Sequence, residues 1–120
     1  MEYTTITVQK NGPVAVLTLN RPKVLNAINS YMRQEVGHAI GLFDGDDEVR
    51  VVVVTGAGER AFSAGGDIHE QVAIADMSPE ERTQRLTALI PYTWHLANCR
   101  KPTIGAINGI AYGGAALLAS

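Results

Sequence analysis

The amino-acid sequence predicts an α/β fold for a single domain of 120 residues. Two strand patterns flank the turn Asn11-Gly12-Pro13, and a helical pattern follows them. The valine-rich stretch 49–54 then has the composition of a strand that is buried on both faces. Strand patterns that alternate with helical patterns, without an internal repeat, are typical of α/β proteins.

The first part of the chain predicts a hairpin and a helix. Ile6 and Val8 alternate with polar residues, and Asn-Gly is a strong signal for the turn of a β-hairpin. The second strand covers Val14–Leu19. Asn26 is a candidate N-cap for a helix that continues to about Asp44, because apolar residues recur after it at helical spacing.

Capping residues mark two further helix starts. Asp67 is a candidate N-cap for a short helix over residues 68–75, because its carboxylate can accept a free amide of the first turn. Ser78 at the N-cap, Pro79 at N1 and Glu81 at N3 form the pattern of a capping box.

Two glycine-rich loops are the most informative stretches. The first, Ala64-Gly65-Gly66, follows the valine-rich strand and precedes a helix. The second, Gly113-Gly114, follows a predicted buried strand and turn at 101–109 and lies in a small-residue run that opens an apolar helix. Backbone N–H groups of such loops suit an anion or a developing oxyanion. Together the loops predict an oxyanion hole with two donors.

Composition and charge argue against several functions. The formal net charge is −2 and no basic cluster exceeds two residues, so we expect neither a nucleic-acid partner nor a membrane partner. No apolar stretch reaches the roughly 18 residues of a membrane span, and the N-terminus lacks a signal-peptide pattern. Cys99 is the single cysteine, which fits a reducing compartment. We therefore expect a cytoplasmic protein.

Three motifs resemble those of a known family. Residues 20–28 are N-R-P-K-V-L-N-A-I, residues 62–68 are F-S-A-G-G-D-I, and residues 101–115 are K-P-T-I-G-A-I-N-G-I-A-Y-G-G-A. In order and spacing they resemble the enoyl-CoA hydratase/isomerase (crotonase) family. The resemblance implies a spiral of ββα units, an acyl-CoA thioester as substrate, no further cofactor, and homotrimers or hexamers.

The resemblance also implies which groups are catalytic. It places the backbone amides of Ala64 and Gly114 on the thioester carbonyl oxygen. Addition or proton transfer beside a thioester passes through an enolate, whose charge develops on that oxygen. Preorganised donors stabilise this charge, and each is worth roughly 3 to 4 kcal/mol in other enzymes.

A substrate pocket is implied as well. Lys23, Val24 and Leu25 would line coenzyme A with their backbone, and Lys23 could meet a phosphate, although a solvated surface lysine is nearly as good an interpretation. The complete set of predicted substrate-binding residues is Lys23, Val24, Leu25, Phe62, Ala64, Gly65, Gly66, Asp67, Ile68, Gly113, Gly114 and Leu117.

The acid/base residues depart from the family pattern. Hydratases of the family carry a glutamate three residues after the second oxyanion glycine, where this chain has Leu117, and another about twenty residues later, beyond Ser120. Two carboxylates are needed to activate water and to deliver a proton across a double bond. The reaction therefore stays open between hydration, isomerisation and another acyl-CoA reaction that uses a single downstream carboxylate.

Other interpretations compete with this one. Residues 56–61 match the dinucleotide fingerprint G-x-G-x-x-A, and Asp76 lies where a ribose-binding acid is expected, but Gly65 and Gly66 would interrupt the required helix. A crotonase-like fold that binds without catalysis is a further alternative. The histidines lack metal-ligand spacing, so no metal site is expected. Because the chain ends inside a helical pattern, we expect residues 1–120 to be the N-terminal part of an acyl-CoA-binding domain, without its C-terminal catalytic and oligomerisation part.

Overall fold

The fold is an ordered succession of short strands and helices, seen in a computed structural model that describes residues 2–88 and 92–113. Its elements are β1 (Ile6–Asn11), β2 (Val14–Leu19), a 3₁₀ turn (Pro22–Val24), α1 (Ser30–Asp44), β3 (Val51–Gly56), β4 (Ala61–Ser63), α2 (Ile68–Ala75), α3 (Pro79–Ala88), α4 (Tyr92–Ala97), β5 (Thr103–Ala106) and β6 (Ile110–Ala111). The orders β1-β2-α1 and β3-β4-α2 are those of ββα units, which confirms the predicted α/β class.

The main sheet has four strands in the order β1-β2-β3-β5. β1 and β2 form the predicted antiparallel hairpin, and β3 pairs in parallel with both β2 and β5. α1 packs on β1 and β2. The largest fully buried side chains of the core include Leu17 and Leu19 of β2, Met32 and Ile40 of α1, and Phe62 of β4. Apolar residues of α1 and the alternate residues of the sheet thus form the core.

Several predicted strand properties were wrong. β3 begins and ends two residues later than predicted, and only its alternate residues Val52, Val54 and Gly56 are buried. β5 is exposed at every position instead of buried, and among the described residues it is the outermost strand of the sheet. β4 and β6 lie in segments that were predicted to be loop and helix, and they pair in parallel as a second, two-stranded sheet.

The N-cap of α1 is Asn29, whose side chain accepts a hydrogen bond from the Met32 amide over 2.9 Å. The prediction of Asn26 as the cap was wrong. Leu25 and Asn26 both adopt left-handed backbone conformations, with φ of 55° and 56°, so the chain is still turning at that point.

The other two predicted helix starts are confirmed. The Asp67 carboxylate accepts the Glu70 amide at the start of α2. The Ser78 hydroxyl accepts the Glu81 amide, and the Glu81 carboxylate accepts the Ser78 amide, which is the reciprocal pattern of a capping box. None of the helices in the described ranges has both the length and the apolar character to cross a membrane.

Candidate functional site

The first glycine loop is hydrogen-bonded to the segment that precedes α1. The Ala64 amide donates to the Leu25 carbonyl oxygen over 2.9 Å, and the Ile28 amide donates to the Gly65 carbonyl oxygen over 2.7 Å. The Asp67 amide returns a bond to the Ile28 carbonyl oxygen over 2.9 Å. Backbone hydrogen bonds therefore hold the loop on both sides of Gly66.

These bonds correct the predicted donor of the first loop. An amide has a single hydrogen, and that of Ala64 is directed at the Leu25 carbonyl oxygen, so Ala64 has no N–H to offer a substrate. The Gly65 amide donates to the Ser63 hydroxyl over 3.2 Å. Of the four amides in the loop 64–67, that of Gly66 has no hydrogen-bond acceptor among the described residues.

The two glycine loops meet through their backbones. A Cβ atom built on Gly65 would lie 2.7 Å from the Tyr112 carbonyl oxygen and 3.6 Å from the Gly113 Cα atom. The Tyr112 amide donates to the Ser63 carbonyl oxygen over 3.1 Å. Gly65 also has a φ of 94°, so glycine is required at this contact for both space and conformation. Gly114 and Leu117, which were predicted for the second loop and its helix, lie outside the described residues.

Asn26 joins three segments around the first loop. It is fully buried, and its Oδ1 atom accepts the Arg21 amide over 2.8 Å. Its Nδ2 atom donates to the carbonyl oxygens of Ala57 and Ala61 over 3.0 and 3.1 Å. Sequence reasoning missed this role. The available signal was that asparagine tolerates the left-handed conformation better than most residues.

Ser63 connects Asn26 to the glycine loop. Its hydroxyl is fully buried, donates to the Asn26 carbonyl oxygen over 2.7 Å and accepts the Gly65 amide. The Ser63 side chain therefore stabilises the loop by joining the Asn26 carbonyl oxygen to the Gly65 amide.

Asp67 forms an ion pair with Arg21 directly after the loop, with 3.0 Å between Nη1 and Oδ2. Partial burial by itself would raise the pKa of Asp67. The hydrogen bond from the Glu70 amide, and the hydrogen bond and positive charge of Arg21, outweigh this effect, so the pKa of Asp67 is lowered. The carboxylate is therefore charged at neutral pH.

The predicted coenzyme A segment lies beside this ion pair. Lys23 and Val24 are exposed in the 3₁₀ turn, next to a surface cavity that residues 20–24 line. Leu25 is half-buried and Ile68 is 72% exposed at the start of α2. Phe62, in contrast, is fully buried in the hydrophobic core. The Phe62 side chain, which was among the predicted substrate-binding residues, is therefore not exposed to a ligand at the surface in the described residues.

The dinucleotide alternative was wrong. Its fingerprint requires a helix that opens within the motif, but residues 61–63 form a strand and the next helix begins at Ile68. A Cβ atom built on Gly56 would lie 2.4 Å from the Phe62 carbonyl oxygen, so this glycine lets β3 and β4 approach each other. The described parts of the chain contain no group of three His, Cys, Asp or Glu residues that could hold a metal.

The ββα order and the two glycine loops in backbone contact define an α/β protein of the crotonase class. Comparison with protein families makes this assignment specific. The family model described as "Enoyl-CoA hydratase/isomerase" matches residues 9–120. The chain belongs to the enoyl-CoA hydratase/isomerase family.

Individual relatives agree with this assignment. The chain is 41% identical to the short-chain-enoyl-CoA hydratase of Clostridium acetobutylicum over 95% of this chain and 42% of the relative. It is 37% identical to the mitochondrial 3-hydroxyisobutyryl-CoA hydrolase of Gallus gallus, over 91% of this chain and 28% of that protein.

A solved structure confirms the predicted fold. The enoyl-CoA hydratase subunit I of Geobacillus kaustophilus superposes with a TM-score of 0.86 at 38% identity, over 99% of this chain and 44% of that chain. The sequence thus spans less than half the length of these relatives.

Proposed function

We propose that the complete protein binds an acyl-CoA thioester and stabilises its enolate with the backbone amides of Gly66 and Gly114. The observation that carries this proposal is the backbone contact of Gly65 with Tyr112 and Gly113, which brings the two loops together beside the Gly66 amide. That amide has no acceptor among the residues that the structure describes. Gly66 replaces Ala64 in this role because the Ala64 hydrogen is already bound.

The chemistry needs donors that are in place before the reaction. Removal of a proton next to the thioester carbonyl group, or addition of water to the β-carbon of an enoyl group, moves negative charge onto the carbonyl oxygen. An amide held by its neighbours does not have to reorient when this charge appears, and one such donor is worth roughly 3 to 4 kcal/mol. The hydrogen bonds on both sides of Gly66 supply this rigidity.

The surroundings of Gly66 suggest how the substrate lies. Coenzyme A would follow the exposed 3₁₀ turn Pro22–Val24, with the thioester at Gly66. The acyl group would then extend along α2, where Ile68 and Val72 are 72% and 58% exposed. These two residues are one helical turn apart and share a face, so they offer an apolar surface to a short acyl chain.

Hydration of a 2-enoyl-CoA is the first candidate reaction, since the relative from Clostridium acetobutylicum is a short-chain-enoyl-CoA hydratase. Leu117 favours a second candidate, in which a single downstream carboxylate serves an isomerisation or hydrolysis. The Gallus gallus relative, a 3-hydroxyisobutyryl-CoA hydrolase, shows that a different acyl-CoA reaction occurs among similar chains. A crotonase fold that binds acyl-CoA without catalysis is the remaining alternative.

The test is to mix the complete gene product with a short 2-enoyl-CoA and to follow the ultraviolet absorbance of the conjugated thioester. Loss of this absorbance with formation of a 3-hydroxyacyl-CoA would support hydration despite Leu117. Binding measured by calorimetric titration, without loss of absorbance, would exclude hydration and favour the second candidate or a non-catalytic binder. Absence of binding would overturn the proposed function.

A further inference from the structure

We propose that Gln71 contacts the acyl group next to the thioester and favours an acyl group that carries a hydroxyl group there, as in a 3-hydroxyacyl-CoA. The side-chain carboxamide of Gln71 lies over Gly66, and it supplies both hydrogen-bond donors and an acceptor. This inference rests on the proposed function, because it concerns the acyl group of a ligand whose thioester lies at Gly66.

The space beside Gly66 is occupied by Gln71. A Cβ atom built on Gly66 would lie 2.4 Å from the Nε2 atom of Gln71, 3.4 Å from its Cδ atom and 4.0 Å from its Cγ atom. Apart from the chain neighbours of Gly66, these are the three nearest atoms in the described part of the chain. The φ angle of Gly66 is not positive, so this backbone conformation is open to other residues as well. What glycine provides at this position is therefore room for the carboxamide.

The helix α2 determines where this carboxamide can lie. The Gln71 amide donates to the Asp67 carbonyl oxygen over 3.0 Å in the first turn of the helix. The carboxylate of the preceding residue, Glu70, accepts the Ser30 amide over 2.8 Å, which ties α2 to the start of α1. The Gln71 backbone thus has a set position relative to Gly66, and rotation of the side chain is the freedom that remains.

Gln71 is the polar member of an otherwise apolar helix surface. Ile68, Gln71 and Val72 are three and four residues apart and share one side of α2. Ile68 and Val72 are the exposed apolar residues along which the acyl group would extend. Among the described residues the Gln71 carboxamide has no hydrogen-bond partner, so its donors and its acceptor are open to a ligand.

The chemistry of the ligand follows from this placement. With the thioester oxygen on the Gly66 amide, a carboxamide beside the same residue lies close to the first carbons of the acyl group. An alkyl group there would displace water from the carboxamide without replacing its hydrogen bonds, which lowers affinity. A hydroxyl group can both donate and accept, so it restores a bond to the carboxamide. We assign this hydroxyl group to C3, the carbon that water attacks in the candidate hydration.

The experiment compares two coenzyme A thioethers on the complete gene product, S-(3-hydroxybutyl)-CoA and S-butyl-CoA. Neither has a thioester carbonyl group, so neither reacts through an enolate, and the ratio of the two affinities reports the hydroxyl group alone. Calorimetric titration measures both affinities. Gln71→Met is the main variant, because methionine is similar in length but is only a weak hydrogen-bond acceptor. Gln34→Met is the matched control, since Gln34 is an exposed glutamine of a different helix, α1.

A second variant displaces the carboxamide without removing it. Gly66→Ala keeps the backbone N–H at position 66, but the added Cβ atom overlaps the place of the Gln71 Nε2 atom. The double variant, Gly66→Ala with Gln71→Met, shows whether the two changes act through the same group.

We expect the wild-type protein to prefer the hydroxylated thioether on the order of fivefold, as for one hydrogen bond. Gln71→Met should weaken binding of this ligand by about the same factor and leave the affinity for S-butyl-CoA within about twofold. Gly66→Ala should lower the preference as well, and the double variant should fall no further than Gln71→Met, because both changes act on one carboxamide. Gln34→Met should retain the wild-type preference.

An unchanged preference in a folded Gln71→Met protein would overturn the inference. An equal loss of affinity for both thioethers would overturn it as well, because it would indicate a structural role for Gln71. If Gly66→Ala does not fold, Gln71→Met still decides the question.

Butyryl-CoA separates this inference from the proposed function. A wild-type protein that does not bind butyryl-CoA would contradict the proposed function. A wild-type protein that binds butyryl-CoA but does not distinguish the two thioethers would contradict only the role assigned to Gln71.

Discussion

Two asparagines, one near each glycine loop, donate hydrogen bonds to the same acceptor, the carbonyl oxygen of Ala61. Asn26 donates to it over 3.1 Å from the segment before α1, and Asn108 donates to it over 3.2 Å from the start of the second loop. Each Oδ1 atom also accepts a backbone amide, from Arg21 for Asn26 and from Gly56 for Asn108. The two contacts are chemically alike, but Asn26 is fully buried and Asn108 is half-exposed.

The difference shows how burial sets the value of a hydrogen bond. When a buried amide loses its partner, no water replaces it and the full desolvation cost of about 1 to 3 kcal/mol per group remains. At a half-exposed position, water can take the place of the missing side chain. The first loop is thus fixed by contacts that cannot be exchanged for solvent, while the second is fixed by contacts that can.

The largest expected effect is at Asn26. Asn26→Ala should lower the free energy of unfolding by about 3 kcal/mol, because it leaves the Arg21 amide and the Ala57 carbonyl oxygen without this partner, removes one of the two donors to the Ala61 carbonyl oxygen, and places alanine in a left-handed conformation. Urea denaturation of the complete gene product measures this. Asn26→Asp should lose at least as much stability at neutral pH, because it turns a buried carboxylate oxygen toward the carbonyl oxygens of Ala57 and Ala61. A loss below about 1 kcal/mol in Asn26→Ala would contradict the comparison.

A smaller effect is expected at Asn108. Asn108→Ala removes the same number of side-chain hydrogen bonds, those with Gly56, Gly58 and Ala61. Because water reaches this site, we expect a loss of about 1 kcal/mol in the same denaturation experiment. If both variants lost equal stability, burial would not be the property that separates the two anchors.

The smallest effect is the pH dependence of the Asp67 contribution. The pKa of Asp67 is lowered in the folded protein, so its stabilisation is fully present above the unfolded pKa of about 4 and is lost as the pH falls through the folded value. The stability difference between wild type and Asp67→Asn should therefore be largest near neutral pH and shrink below about pH 4. Urea titrations at several pH values measure it, and a difference that stays constant into the acid range would show that the charge is not responsible.

Local signals in the sequence predicted the parts of the fold that depend on local interactions. The hairpin turn at Asn11-Gly12 and the caps Asp67 and Ser78 involve residues close together in sequence, and all three are confirmed. Asn26 was misassigned because asparagine favours both helix caps and left-handed turns, and its true partners Ala57 and Ala61 are distant in sequence.

The sequence predicted where the candidate site lies, but not which amide of the first loop is free. The glycine pattern located the first loop, and the structure brings Gly65 against Gly113. Which amide is free depends on a bond from Ala64 to Leu25 across the fold, and no local pattern encodes that bond. The strand β4 was missed for a similar reason, since a three-residue strand is defined by its pairing with β6 rather than by its own composition.

The position of β5 has a practical consequence for handling the protein. It is the last strand of the main sheet among the described residues, it is exposed along its whole length, and Ile104 on it is 52% exposed. An uncovered apolar edge offers its backbone groups to any other strand and is a common starting point for aggregation. A polypeptide limited to these residues would therefore need a charged substitution at Ile104, or a covering segment, to stay dispersed at high concentration.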